Sequence, residues 1–217
     1  MLTLASAFAA QAHPTLPTAW TATVQEAEVG VVYESYIMVD KPTAENPSAK
    51  WTNFTDGSCQ RLIFDGPNYA AQRYLLKCDA VDCCTEDQSG NHVEYQIPNV
   101  HPAALAKVTN AGKEMVTLFN SSTPIEADSW TWRFTLEKIT AYTVGDELIK
   151  WVVNAEGNNY TNEYANYTAI PDSQRAAFSS TFAVPPQCQG SQVLRCDGAV
   201  SEKSLKFLRA GTMPTKR

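Results

Sequence analysis

The chain has 217 residues, 44% apolar and 18% charged, with a net charge of −6. That length suits one larger domain or two small ones. The apolar share excludes a disordered polyelectrolyte, and the acidic balance argues against a nucleic-acid partner, whose phosphates it would repel. No uninterrupted apolar run approaches the roughly 20 residues of a membrane-spanning helix, so no transmembrane segment is expected.

Residues 1–12, MLTLASAFAAQA, form a short apolar stretch ending in the small-x-small site Ala10-Gln11-Ala12. This reads as a signal peptide cleaved before His13, although no Lys or Arg opens it. Residues 13–200 then read as a single β domain, because the dominant pattern is alternation with period two. Strands are expected over 29–39, 61–64, 71–77, 92–97, 114–119, 130–136, 139–144, 147–153, 160–169 and 176–184. Asp65-Gly66-Pro67-Asn68 and Gly145-Asp146 mark turns. A series of about eight to ten short strands predicts an all-β fold: a strongly curved antiparallel sheet, half-barrel or sandwich. One or two short helices are expected, near 101–106 and 201–209, and residues 201–217 read as a short helix with a frayed basic tail.

Six cysteines, an even number, predict a disulfide-stapled domain in an oxidising compartment. The adjacent Cys83 and Cys84 should point in opposite directions and tie two neighbours together. Cys59 or Cys78 is expected to join that pair, with one long-range bridge to the C-terminal segment. Cys188 and Cys196 are candidates for a local loop. Zinc on Cys78, Cys83, Cys84 and His92 is the rival reading, but the spacing contains no CxxC. Four sequons, at Asn53, Asn120, Asn159 and Asn166, also favour a secreted glycoprotein. Asn159 and Asn166 are an odd number of positions apart. A regular strand would put them on opposite faces, so one sits in a turn or the segment between them is irregular. The glycans should mark the convex or rim surface.

No catalytic signature is present. The three histidines, His13, His92 and His101, lie in no recognisable triad motif, and G-x-S-x-G, H-E-x-x-H and a Walker loop are absent. Asp65, Glu94, Asp128, Glu137, Asp146 and Glu147 could only be weighed as a glycosidase pair with their separations known. A non-enzymatic protein is therefore expected and no cofactor, with a hydrolase as the weaker reading. Asp79, Asp82, Glu86 and Asp87 surround the cysteine pair and make calcium a possible ligand, though without EF-hand spacing. The most informative stretch is Trp130-Thr131-Trp132-Arg133-Phe134-Thr135-Leu136, which sets Trp130, Trp132 and Phe134 on one face. With Tyr142, Trp151 and Phe64 these rings are the expected lining of a hydrophobic pocket in the curved sheet. A packed core is the plainer account of the same pattern.

Two stretches resemble ependymin-related proteins. They are Cys59-Gln60-Arg61-Leu62-Ile63-Phe64-Asp65-Gly66-Pro67-Asn68, continuing to Gln72-Arg73-Tyr74, and Ser180-Thr181-Phe182-Ala183-Val184-Pro185-Pro186-Gln187-Cys188. The resemblance spans residues 30–190, although only these stretches are specific. It implies a secreted glycoprotein whose curved antiparallel sheet encloses a hydrophobic pocket, with calcium binding and a homodimer compatible with it. Cys83-Cys84 and the basic tail depart from the family pattern. The expected function is binding of a lipid-like ligand, or of an extracellular protein partner, outside the cell, in the lysosome or at the cell surface. A structural or adhesive glycoprotein acting through protein contacts is the alternative.

Overall fold

The computed structural model of the chain describes residues 16–26, 29–37, 39, 48–55, 57–65, 71–79, 81–86, 108–134, 137–155, 158–189, 193–196, 199–201 and 204. The expected signal peptide at 1–12, the strand expected at 92–97, the helix expected at 101–106, the three histidines and the tail from 205 onward lie outside them.

Among the described residues twelve strands form one sheet. They are β1 (Ala19–Glu26), β2 (Gly30–Ile37), β3 (Ser48–Phe54), β4 (Gln60–Asp65), β5 (Ala71–Cys78), β6 (Val81–Glu86), β7 (Thr109–Val116), β8 (Ile125–Phe134), β9 (Glu137–Val144), β10 (Glu147–Ala155), β11 (Asn158–Ala169) and β12 (Leu194–Arg195). The spatial order is β12-β6-β5-β4-β3-β2-β1-β11-β10-β9-β8-β7. Two meanders, β1 to β6 and β7 to β11, are thus fused where β1 pairs antiparallel with β11. Among the described residues every pairing is antiparallel except β12 with β6. The sheet is open, with β7 and β12 at its two ends.

Period two sorts the side chains onto two faces. The inner face holds one large cluster that includes Trp20, Val24, Val32, Tyr36, Leu75, Trp130, Trp132, Ile139, Trp151, Val153 and Tyr164. This cluster takes residues from both meanders, and strands supply nearly all of it. Burying it therefore requires the sheet to bend around its inner face. Side chains of β1 and β4, three strand spacings or about 14 Å apart in a flat sheet, meet across that concavity: Arg61 Nη2 lies 2.6 Å from Glu26 Oε1.

The outer face over β3 to β6 is covered by the C-terminal segment. Here Leu62, Leu76, Ala49 and Cys83 pack against Phe178, Phe182 and Val184. The strand expected at 176–184 is instead helical. Helix α1 runs Asp172–Ser179 and continues into a 3-10 turn at Ser180–Phe182. The physical reason is visible in the spacing: Phe178 and Phe182 are four apart and meet edge to face at 5.3 Å, as only a helical repeat allows. Pro171 and Asp172 start the helix.

The six cysteines form Cys59–Cys78, Cys83–Cys188 and Cys84–Cys196. Neighbours on a strand face opposite ways, so Cys83 bridges to the outer cluster and Cys84 to the inner one. The expected opposite orientation of this pair holds. Neither Cys59 nor Cys78 joins it, however, because β4 and β5 are hairpin partners and hold those two cysteines beside each other. Cys188 and Cys196 form no local loop, since each is drawn to a different face of β6. With no free cysteine, the zinc alternative is also removed.

The sequon parity is resolved inside β11. Opposite β1 the register jumps from Thr21↔Thr168 to Thr23↔Ala165, an extra residue centred on Asn166, whose φ is +53°. This bulge reverses the alternation, so Asn166 Nδ2 reaches Thr23 Oγ1 on the outer face at 3.4 Å. Asn120, Asn159 and Asn166 are exposed and Asn53 is half-buried.

Candidate functional site

The middle of the concave face is polar. On β1, every second residue from Trp20 through Ala22 and Val24 to Glu26 is buried. On β2 the inward series is Val32, Glu34 and Tyr36. Glu34 stands opposite Thr52 on β3, and Thr52 opposite Arg61 on β4, so a polar row crosses three strands. Lys50 lies opposite Tyr36 on the same face. Lys50 and Arg61 are both 0% exposed, Glu34 is 1% and Glu26 is 4%.

These four charges form one network. Lys50 Nζ is 2.7 Å from Glu34 Oε2 and 3.8 Å from Glu26 Oε1. Arg61 Nη2 donates to Glu26 Oε1 at 2.6 Å and to Thr52 Oγ1 at 3.2 Å. Two carboxylates thus balance two cations. Burial holds the Glu34 carboxyl above the usual carboxylate range; Lys50 and Arg61 pull it down and Glu26 pushes it up, but burial dominates. The second oxygen of each acid, Glu26 Oε2 and Glu34 Oε1, is buried and has no hydrogen-bond partner among the described residues.

Aromatic rings border this network. Trp20 contacts Tyr36 at 5.3 Å, Tyr164 at 5.6 Å and Tyr167 at 5.2 Å. Burial raises both the Tyr164 and Tyr167 phenols, and the nearby Glu34 charge adds to it in each. Farther along the same face, Trp132 and Trp151 meet edge to face at 4.8 Å, and Trp130 Nε1 donates to Thr143 Oγ1 at 2.9 Å.

The six expected pocket residues therefore separate. Trp130, Trp132 and Trp151 come together in the inner cluster, each 5–6% exposed. Phe134 pairs with Glu137 at the end of β8, and its side chain lies outside the described residues. Tyr142 and Phe64 do not join the tryptophans. Tyr142 pairs with Ser129 rather than Trp130, which puts it on the opposite side with Ile125, Ala127 and Ile149. Phe64 packs outward, 6.2 Å from Tyr74. The reason in both cases is strand parity.

Of the four acids considered for calcium, Asp79 accepts a hydrogen bond from the Ser201 backbone N–H at 2.7 Å and Asp82 is exposed. Asp87 and the Glu86 side chain lie outside the described residues. Among the described residues no three His, Cys, Asp or Glu side chains converge, and no helix is long and apolar enough to cross a membrane.

The charged network escapes a sequence reading that seeks apolar residues at alternate positions. Its signal is present in the same alternation, as Glu26, Glu34, Lys50 and Arg61 occupy inward positions. No protein-family model matches the chain, and no curated protein matches it.

Proposed function

We propose that this chain is an exported, N-glycosylated, non-enzymatic protein that binds an amphipathic, lipid-like ligand on the concave face of its sheet, and that it stands with the ependymin-related proteins it resembles. The observation that supports this reading best is the buried network of Glu26, Glu34, Lys50 and Arg61 among tryptophans and tyrosines. A core needs no ions. Desolvating four charges costs several kcal/mol each before pairing offsets it, and apolar residues of similar volume are often as stable or more so. A binding face has a use for polar groups set in an apolar surround.

Export is supported by the three disulfides, which persist in oxidising compartments, and by sequons on accessible surface. The test is native mass spectrometry of the protein secreted from eukaryotic cells, followed by titration of the delipidated protein with a fluorescent fatty acid. Copurifying lipid and saturable binding that weakens in Trp132→Ala are expected, with Trp151→Phe as the milder variant. An empty, stable oligomer that binds no probe overturns the reading and favours an adhesive glycoprotein.

A further inference from the structure

We infer that the Glu26–Glu34–Lys50–Arg61 network, together with Tyr167, is a head-group site for a neutral, hydroxyl-bearing amphiphile. This deepens the ligand-binding reading above and rests on it.

Each carboxylate gives one oxygen to a cation: Glu26 Oε1 to Arg61 and Glu34 Oε2 to Lys50. The other oxygens, Glu26 Oε2 and Glu34 Oε1, are buried acceptors with no donor among the described residues. The Tyr167 hydroxyl is a third buried polar atom with no partner there, on a ring that stacks against Trp20. Both acids are at least nine-tenths buried. Buried polar groups are normally satisfied, and each that is not costs free energy. The site therefore asks for donors, and it asks for them beside an apolar ring.

Charge decides which donors fit. The network is neutral, so a charged head group would bring an uncompensated ion into a desolvated place. A carboxylate head offers only acceptors and would face the two glutamates. An ammonium head would be a third cation beside Lys50 and Arg61. A neutral diol donates to the two free carboxylate oxygens and accepts from, or donates to, the Tyr167 hydroxyl without changing the charge. Hydrogen bonds to ionised acceptors are the stronger kind. Trp20, in contact with Tyr167, belongs to the inner apolar cluster, among whose side chains an alkyl chain would lie.

The test uses four amphiphiles of one chain length: a monoacylglycerol, the free fatty acid, the alkylamine and the fatty-acid methyl ester, with glycerol as the head group alone. Affinities for the delipidated, disulfide-intact protein are measured by calorimetry. The monoacylglycerol should bind about tenfold or more tighter than the other three, and glycerol should show no measurable binding. Tyr167→Phe should weaken the monoacylglycerol several-fold and leave the methyl ester unchanged. Glu34→Gln, checked for its fold by circular dichroism, should also narrow the preference. Equal affinities across head groups, or a Tyr167→Phe loss shared by the methyl ester, would overturn the head-group assignment while sparing the ligand-binding reading. Failure of all four amphiphiles to bind would overturn both.

Discussion

Replacing Lys50 with Met removes the cation that lies closest to Glu34 and leaves two buried acids facing one guanidinium. Breaking a buried pair by deleting one partner costs about 3–5 kcal/mol. For a chain of this size that corresponds to a fall in melting temperature of roughly 6–20 °C. The pH dependence is the sharper consequence. Burial already holds the Glu34 carboxyl above its ordinary value, and Lys50 is the main influence drawing it down. Without Lys50 it rises further. A carboxyl whose native value exceeds its unfolded value contributes stability that is complete below the unfolded value, 4.5 here. That contribution is lost as pH rises through the native value. The deficit of Lys50→Met against the parent should therefore be largest near neutral pH and shrink on acidification toward about pH 5. Calorimetric melts across that range, with disulfides intact, measure it. Lys113→Met is the control, because Lys113 and Glu126 are an exposed pair, 61% and 58% accessible, screened by solvent. An equal deficit at all pH values, or a melt as mild as the control, would refute the reasoning.

Other expectations are as direct. Gly145 turns β9 into β10 at φ +58°, and a Cβ there would meet no atom within 4 Å, so Gly145→Ala should cost about 1–2 kcal/mol of backbone strain alone, read by urea unfolding. The double variant Cys84→Ser/Cys196→Ser opens a bridge spanning 112 residues and should lose about 2–5 kcal/mol. Peptide mapping without reductant should recover the Cys84–Cys196 peptide pair, and a Cys188–Cys196 peptide would contradict the fold. In alkaline spectrophotometric titration Tyr164 and Tyr167 should stay protonated after exposed tyrosines ionise. Their raised native values contribute stability that is complete below the ordinary phenol range of about pH 10 and is lost as pH climbs from there through the native values, so their ionisation should coincide with unfolding. Smooth ionisation of all nine tyrosines in a folded protein would count against their burial.

The legible part of this fold is the part where alternation is purely apolar. The inward Trp130 and Trp132 of β8, and the Gly145-Asp146 connection, follow from sequence pattern alone because solvent and core differ maximally there. Strands β1 and β3 escape the pattern. Their inward series end in or contain Glu26, Lys50 and Thr52, and a charge at a core position looks like a break in the alternation. Glu26 and Lys50 belong to the candidate site, so there the failure of the pattern and the chemistry coincide, whereas Glu34 and Arg61 lie on β2 and β4, which the sequence shows as strands. Tyr142 and Phe64 fall to the tryptophan face in a sequence reading because ring type is legible and strand parity is not. The β4–β5 hairpin is legible from its turn, but the register that sets Cys59 beside Cys78, and the choice of Cys188 for one face of β6 and Cys196 for the other, are contained in no local spacing. The segment 176–184 reads as a strand because its β-branched and aromatic residues outweigh the four-residue repeat of Phe178, in α1, and Phe182, in the 3-10 turn after it.

The seam between the two meanders also bears on biogenesis. β1 is made before the other strands described, yet one of its edges is paired by β11, the last long strand among the described residues. At ordinary elongation rates that interval is roughly ten to thirty seconds. Throughout it the nascent N-terminal half presents an unprotected strand edge of the kind that recruits wrong partners. Sheet completion is thus a late, long-range event, and a ribosome-bound chain stopped short of β11 should engage chaperones far longer than the finished one.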